Sequence, residues 1–184
     1  MGCEKFNKEG WYLAARKLAS PNYNMRPDSC DIRLLVIHCI SLPEGKYDQN
    51  NVEDFFLNQL DINQDESFAD IENLKVSSHF YIKRNGQIIQ FVSTLNRAWH
   101  AGKSTYKGRE NCNDFSIGIE LQGTDHTDFT ERQYQQLIQL SNDLIAQFPA
   151  LKDNIVGHSD IAPDRKTDPG VKFDWVYYRQ RLIA

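Results

Sequence analysis

The period of apolar and polar positions changes several times along the chain, and each change predicts an element. Arg33 to Ile40 reads Arg-Leu-Leu-Val-Ile-His-Cys-Ile, a continuous apolar run with a histidine near its end. Its β-branched content predicts a strand buried on both faces, and Leu42-Pro43-Glu44-Gly45 ends it. From Asn51 to Leu60 the apolar residues Val52, Phe55, Phe56 and Leu60 fall at helical spacing. Asp61 to Asp70 is polar and reads as surface loop or a fragment of helix. Ser78 to Arg84 and Gln87 to Ser93 predict a hairpin, joined by Asn85-Gly86 as a two-residue type I′ turn.

Asp114 to Leu121 alternates enough to predict a further strand. Thr130 to Phe148 is the strongest helix: Thr130 can cap it, and Tyr134, Leu137, Ile138, Leu140, Leu144, Ile145 and Phe148 supply a broad apolar face. Asn154 to His158 reads as a short strand or its end. Phe173 to Leu182 reads as a final helix capped by Asp174. Gly10 to Ser20 fits a short helix or an irregular strand, and its periodicity does not decide between them. The order strand, helix, hairpin, strand, helix, short strand, loop, helix belongs to the α/β or α+β class. It predicts a single mixed central sheet flanked by helices, with a strand order that pattern alone does not fix. No repeat, low-complexity tract or linker interrupts it, so residues 1–184 are expected to form one domain.

Composition narrows the function classes. At 40% hydrophobic and 25% charged residues, the chain has the make-up of an ordinary soluble globular protein rather than a disordered one. A formal net charge of -4 argues against nucleic acid as a partner. Met1 to Gly10 is polar and lacks the apolar core of a secretory signal. Met1-Gly2-Cys3 is not a myristoylation pattern, because Phe6 stands where Ser or Thr is needed. No run reaches the ~18 apolar residues of a membrane span. The expectation is a cytoplasmic protein with no membrane association. Cys3, Cys30, Cys39 and Cys112 form no C-x-x-C pair, so free thiols are expected and a bound metal would rely on His, Asp or Glu.

Two histidines stand at predicted strand ends, His38 after Leu-Leu-Val-Ile and His158 after Ile-Val-Gly. Imidazole is the commonest zinc ligand, and strand ends hold ligands rigidly. The loop after His158 is dense in carboxylates and stiffened by Pro163, Pro169 and Gly170. A catalytic zinc takes three protein ligands and leaves one position open. His38, His158 and one of Asp160, Asp164 and Asp168 would meet that count, and spacing does not select among the three. A single histidine at a core edge is usually a satisfied polar residue; the pair and its acidic loop make the metal reading competitive.

Glu120 interrupts the apolar strand Ile117-Gly118-Ile119-Glu120-Leu121. It is either an outward-facing position of an alternating strand or a buried carboxylate, which is costly unless paired or functional. A buried carboxylate beside a metal could serve as a general base. Lys166, ordinarily a solvated lysine, could there stabilise an oxyanion. His100 lies in an aromatic, glycine-bounded turn able to line a pocket. His79 reads as structural and His126 as loop surface.

Four stretches together resemble the type 2 N-acetylmuramoyl-L-alanine amidases, which share the peptidoglycan-recognition-protein fold. They are Leu35-Val36-Ile37-His38, Arg97-Ala98-Trp99-His100-Ala101-Gly102, Cys112 to Leu121, and Gly157-His158 with Asp160 to Gly170, in the family's order. The closer likeness is to the cytoplasmic members that act on 1,6-anhydromuropeptides during cell-wall recycling. The resemblance implies one zinc ion held by His38, His158 and Asp168, with Glu120 and Lys166 as the catalytic pair. It implies a monomeric hydrolase that cuts the amide between the lactyl group of the muramyl sugar and L-alanine, with a soluble anhydromuropeptide as substrate. The same fold also serves as a non-enzymatic peptidoglycan sensor, which has no need of all five residues. The sequence departs from those family members at Cys39, where they carry Asn, and at Lys75 and Asn111, where they carry Arg; no ligand role is assigned to these three.

Overall fold

The structure, a computed structural model, describes residues 4–182. The Met1-Gly2-Cys3 pattern lies outside the described residues. Along the chain run β1 (Arg16–Lys17), β2 (Tyr23–Met25), β3 (Leu34–Ile40), α1 (Asn51–Phe56), β4 (Phe80–Ile82), β5 (Ile88–Gln90) and β6 (Asn96–Ala98). Then come β7 (Thr105–Tyr106), β8 (Arg109–Glu110), β9 (Ser116–Gln122), α2 (Glu131–Gln147), β10 (Ile155–Gly157), α3 (His158–Ile161) and α4 (Trp175–Arg179). A six-stranded mixed sheet in the order β1-β5-β4-β9-β3-β10 forms the centre. Only β4 and β5 pair antiparallel within it. The α/β class with a mixed central sheet and flanking helices is therefore observed.

β3 and β9 are the two longest strands and lie side by side in parallel. All seven residues of β9 are buried, so both of its faces are covered: one is apolar, with Ile117, Ile119 and Leu121, and the other carries the buried polar residues Ser116, Glu120 and Gln122. On one face Leu35, Ile37, Ile117, Ile119 and Leu121 pack with Leu137, Leu140 and Leu144 of α2. Each such side chain, fully withdrawn from water, contributes about 1.5–3 kcal/mol. Thr130 caps α2 through a capping box with Gln133, as its position predicts. On the other face Tyr81 and Ile89 pack with Val52, Phe55 and Phe56 of α1, while Leu34, Val36, Ala101, Phe115 and Ile161 form a third cluster. The second face is left partly uncovered between these clusters, and that opening is the cleft described below.

The hairpin is present, but its turn differs from expectation. Ile82 pairs with Ile88, and Lys83 N–H donates to Gln87 O, so the loop has three residues, Arg84-Asn85-Gly86. Gly86 N–H donates to Lys83 O at 2.8 Å, and Gly86 alone takes a left-handed φ of 87°. A type I′ turn needs positive φ at both central residues; Asn85 does not adopt it, and the chain closes by a type I turn followed by a glycine bulge. Gly10 to Ser20 resolves into β1 and an isolated bridge between Phe6 and Tyr12. Asp61 to Asp70 forms 3₁₀ turns that bury Phe68. The final helix is shorter than the predicted span, and Asp174 caps it by accepting from Tyr177 N–H. No helix among the described residues is long and apolar enough to cross a membrane.

Candidate active site

The register of three parallel strands lays the site out. Tyr81 of β4 stands opposite Glu120 of β9, and Glu120 stands opposite His38 of β3. Register partners point to the same face, so the three side chains form a row across the sheet. β10 continues the row: Gly157 pairs with Ile37, and the next residue, His158, opens α3 rather than a loop. Asp168 arrives from the segment after α3. Ser159 N–H donates to Asp168 O at 3.0 Å, and Gly157 permits the approach, because a Cβ there would lie 2.8 Å from Cδ of Pro169.

These elements bring three ligand-type atoms to one point. His38 Nδ1 lies 3.0 Å from His158 Nδ1 and 3.0 Å from Asp168 Oδ2, and His158 Nδ1 lies 3.1 Å from Asp168 Oδ2. Tetrahedral zinc bonded to N and O at about 2.0–2.1 Å sets its ligand atoms roughly 3.3 Å apart, close to these separations. The outer ring nitrogens are already engaged. His158 Nε2 donates to Ala101 O at 3.1 Å, and His38 Nε2 is 2.9 Å from His100 Nδ1. His158 therefore turns an Nδ1 lone pair inward, and the donor set fits a small divalent cation. Of the three candidate carboxylates, Asp160 is spent on Gly157 N–H at 2.8 Å and Asp164 is exposed; Asp168 alone joins the histidines.

Burial pulls the pKa of His38 down to about 4, against the opposing hydrogen bond with Asp168. Burial works against the Asp168 charge, but hydrogen bonds with His158 and His38 outweigh it and hold the carboxyl well below the usual carboxylate range. Burial thus favours a neutral His38 beside an ionised Asp168, forms able to ligate a metal. Glu120 behaves oppositely. Burial, reinforced by the negative charge of Asp168, pushes its pKa well above the ordinary value. Its Oε1 is 4.0 Å from His38 Nδ1, and its buried Oε2 has no hydrogen-bond partner among the described residues. Lys166 lines the same cleft, near enough for its charge to act on both Glu120 and His38.

The cleft has a volume of about 520 Å³. Phe55, Ile71, Leu74 and Trp99 give it apolar walls, and Lys75 lies on its rim. His100 is in the wall, as its sequence context suggests, while His126 is exposed surface. His79 is structural: its Nδ1 accepts from Gly118 N–H at 3.1 Å and its Nε2 is 3.0 Å from Asn96 O. Cys39 is no part of the ligand set. Its thiol, whose pKa burial pushes up, donates to Asp125 Oδ1 at 3.2 Å. Asp125 also accepts from the Thr167 hydroxyl, and so braces the loop that carries Asp168. Cys30, Cys39 and Cys112 are free cysteines. Asn111 takes a left-handed φ of 59° before a 3₁₀ turn, a conformation that asparagine tolerates well. The role of Asp125 carries no signal in spacing, because it depends on contacts between distant segments.

Two histidines and an aspartate thus meet beside a mixed α/β sheet. Residues 28–171 match the N-acetylmuramoyl-L-alanine amidase (Amidase_2) family, and the chain belongs to it. It is 51% identical over 171 residues to 1,6-anhydro-N-acetylmuramyl-L-alanine amidase AmpD of Citrobacter freundii, covering 93% of this chain and 91% of that protein. Its fold matches the crystal structure of a Se-Met AmpD derivative with a TM-score of 0.94 at 49% identity, over 96% of this chain and 98% of the other. A more distant match is the amidase AmiD from E. coli in complex with anhydro-N-acetylmuramic acid-L-Ala-D-gamma-Glu-L-Lys. It has a TM-score of 0.62 and 34% identity, over 97% of this chain and 66% of that one.

Proposed function

We propose that the protein is a zinc-dependent amidase that hydrolyses the bond between the lactyl group of 1,6-anhydro-N-acetylmuramic acid and L-alanine. It acts as a cytoplasmic monomer on soluble anhydromuropeptides released from the cell wall. One observation carries the reading: His38, His158 and Asp168 converge to within 4.8 Å, beside a buried Glu120 with an unpartnered Oε2. The named activity of the AmpD relative and the substrate bound to AmiD support the same chemistry.

His38, His158 and Asp168 would hold one zinc ion. When bound, zinc supplies Lewis acidity to the amide carbonyl and lowers the pKa of water toward about 7. Glu120 takes the proton of the attacking water at its free Oε2. Burial makes that carboxyl retain the proton, so it can pass it to the departing amine of L-alanine. Lys166 offsets negative charge as it grows on the lactyl oxygen. The apolar walls of Phe55, Ile71 and Trp99 exclude bulk water and seat the sugar and stem peptide.

Turnover of an anhydromuramyl-tripeptide, followed by mass spectrometry before and after chelation, tests the proposal. Cleavage between sugar and L-alanine that chelation abolishes and zinc restores is the expected result. A protein shown to hold one zinc yet unable to cleave would instead be a peptidoglycan sensor.

A further inference from the structure

We propose that the His100–Ala101 dipeptide is the orienting clamp of the metal centre and that Asn113 is the positioning residue that sets it; the inference rests on the zinc reading above. An imidazole that binds metal through Nδ1 carries its proton on Nε2, and a buried N–H needs an acceptor. Both histidines find that acceptor in the same two residues. His38 Nε2 meets His100 Nδ1 at 2.9 Å, and His158 Nε2 meets the Ala101 carbonyl at 3.1 Å. His100 can accept at Nδ1 because its own Nε2 lies 3.1 Å from Ser116 Oγ, where its proton can go. The line from His38 through His100 to Ser116 is thus a single-direction relay that fixes the tautomer of His38.

The clamp is held from behind. Asn113 Oδ1, buried, accepts from both His100 N–H at 3.1 Å and Ala101 N–H at 2.8 Å. One side-chain oxygen therefore fixes both peptide groups, and through them the orientation of both ligand rings. Arg165 Nη2 donates to the Ala101 carbonyl at 2.7 Å, adding a second brace. The His100 ring lies flat on β9 at Gly118, where a Cβ would come within 2.6 Å of it. Asn113 itself touches no ligand atom of the centre, so its influence passes through the dipeptide.

The test is the zinc dissociation constant of the full chain and of His100→Phe, His100→Asn and Asn113→Leu, measured by competition with a chromophoric chelator. The visible spectrum of the cobalt-substituted proteins reports ligand geometry, and thermal melting without metal reports the fold. His100→Phe keeps a ring but removes the acceptor, and should weaken zinc binding about 10- to 100-fold with an altered cobalt spectrum. His100→Asn restores an oxygen near the Nδ1 position and should recover most of that loss. Asn113→Leu should weaken binding about tenfold and also alter the spectrum. Wild-type affinity in a folded His100→Phe, or His100→Asn as weak as His100→Phe, would overturn the clamp. If His100→Phe does not fold, unchanged affinity and spectrum in Asn113→Leu overturn it alone. A wild-type chain that binds no zinc would instead overturn the reading on which the clamp rests.

Discussion

Glu120 and His38 are register partners on adjacent parallel strands, and Nδ1 of His38 stands 4.0 Å from Oε1 of Glu120. Both groups ride on the two longest strands of the sheet, so their separation is set by backbone pairing rather than by a loop. That gap is too long for a hydrogen bond, which leaves Glu120 out of the ligand set while keeping it beside the centre. Glu120→Ala is accordingly expected to hold one zinc by elemental analysis and to lose turnover by on the order of 10²-fold or more. Near-normal turnover in that variant would remove Glu120 from the mechanism.

Lys166 is expected to separate rate from metal binding in another way. It lines the cleft but contributes no ligand atom to the His38, His158 and Asp168 group. Lys166→Met should lower kcat by roughly 10²-fold, the scale of losing one oxyanion-stabilising group, with zinc content unchanged. An effect confined to KM would assign Lys166 to substrate binding instead.

What the sequence made legible follows physical lines. β3 and α2 announced themselves because burial on two faces and burial on one helical face each leave a periodic trace. β2, β7 and β8 left none: they are two or three residues long, and mostly exposed. His38 and His158 were visible at strand ends, whereas spacing could not tell Asp168 from Asp160 and Asp164. The choice is made by the hydrogen bond that occupies Asp160 and by the closure of the loop against Gly157. Glu120 was ambiguous because alternation and full burial look alike over a few residues; pairing on both edges of β9 settles it as buried. The embrace of His100 and Ala101 by Asn113 spans 12 to 13 residues and depends on the folded turn between them.

Buried histidines should make the metal-free protein sensitive to mild acid. Burial lowers the pKa of His38 to about 4 and of His79 to about 3, and lowers that of His100 well below 6.5. In the unfolded chain all three protonate near 6.5, while the folded chain refuses the proton. Their contribution is therefore complete above about pH 6.5 and is lost as pH falls toward 4. Glu120, whose carboxyl is raised, works in the opposite direction over part of the range, one group against three. The urea midpoint of metal-free protein should fall steadily between pH 7 and pH 5, and a flat profile would contradict the burial of these rings.

Gly170 ties the position of Asp168 to Asp125. Its φ of +82° lies in the left-handed region, and a Cβ there would come within 2.3 Å of Asp125 Cα and 2.4 Å of Asp125 O. Neither contact can yield by a side-chain rotation, since both atoms belong to the backbone. Gly170→Ala must therefore move the segment from Thr167 to Gly170 away from Asp125, or move Asp125 itself. Either shift weakens the Thr167–Asp125 bond and carries Asp168 off the two histidines. The cost should be about 1–3 kcal/mol of stability from overpacking, and zinc affinity should fall about tenfold or more. The sheet and α2 lie outside this loop, so far-UV circular dichroism should stay native. Unaltered zinc affinity in Gly170→Ala would mean that Asp168 is held by Ser159 and the histidines alone, and that the Asp125 brace is dispensable.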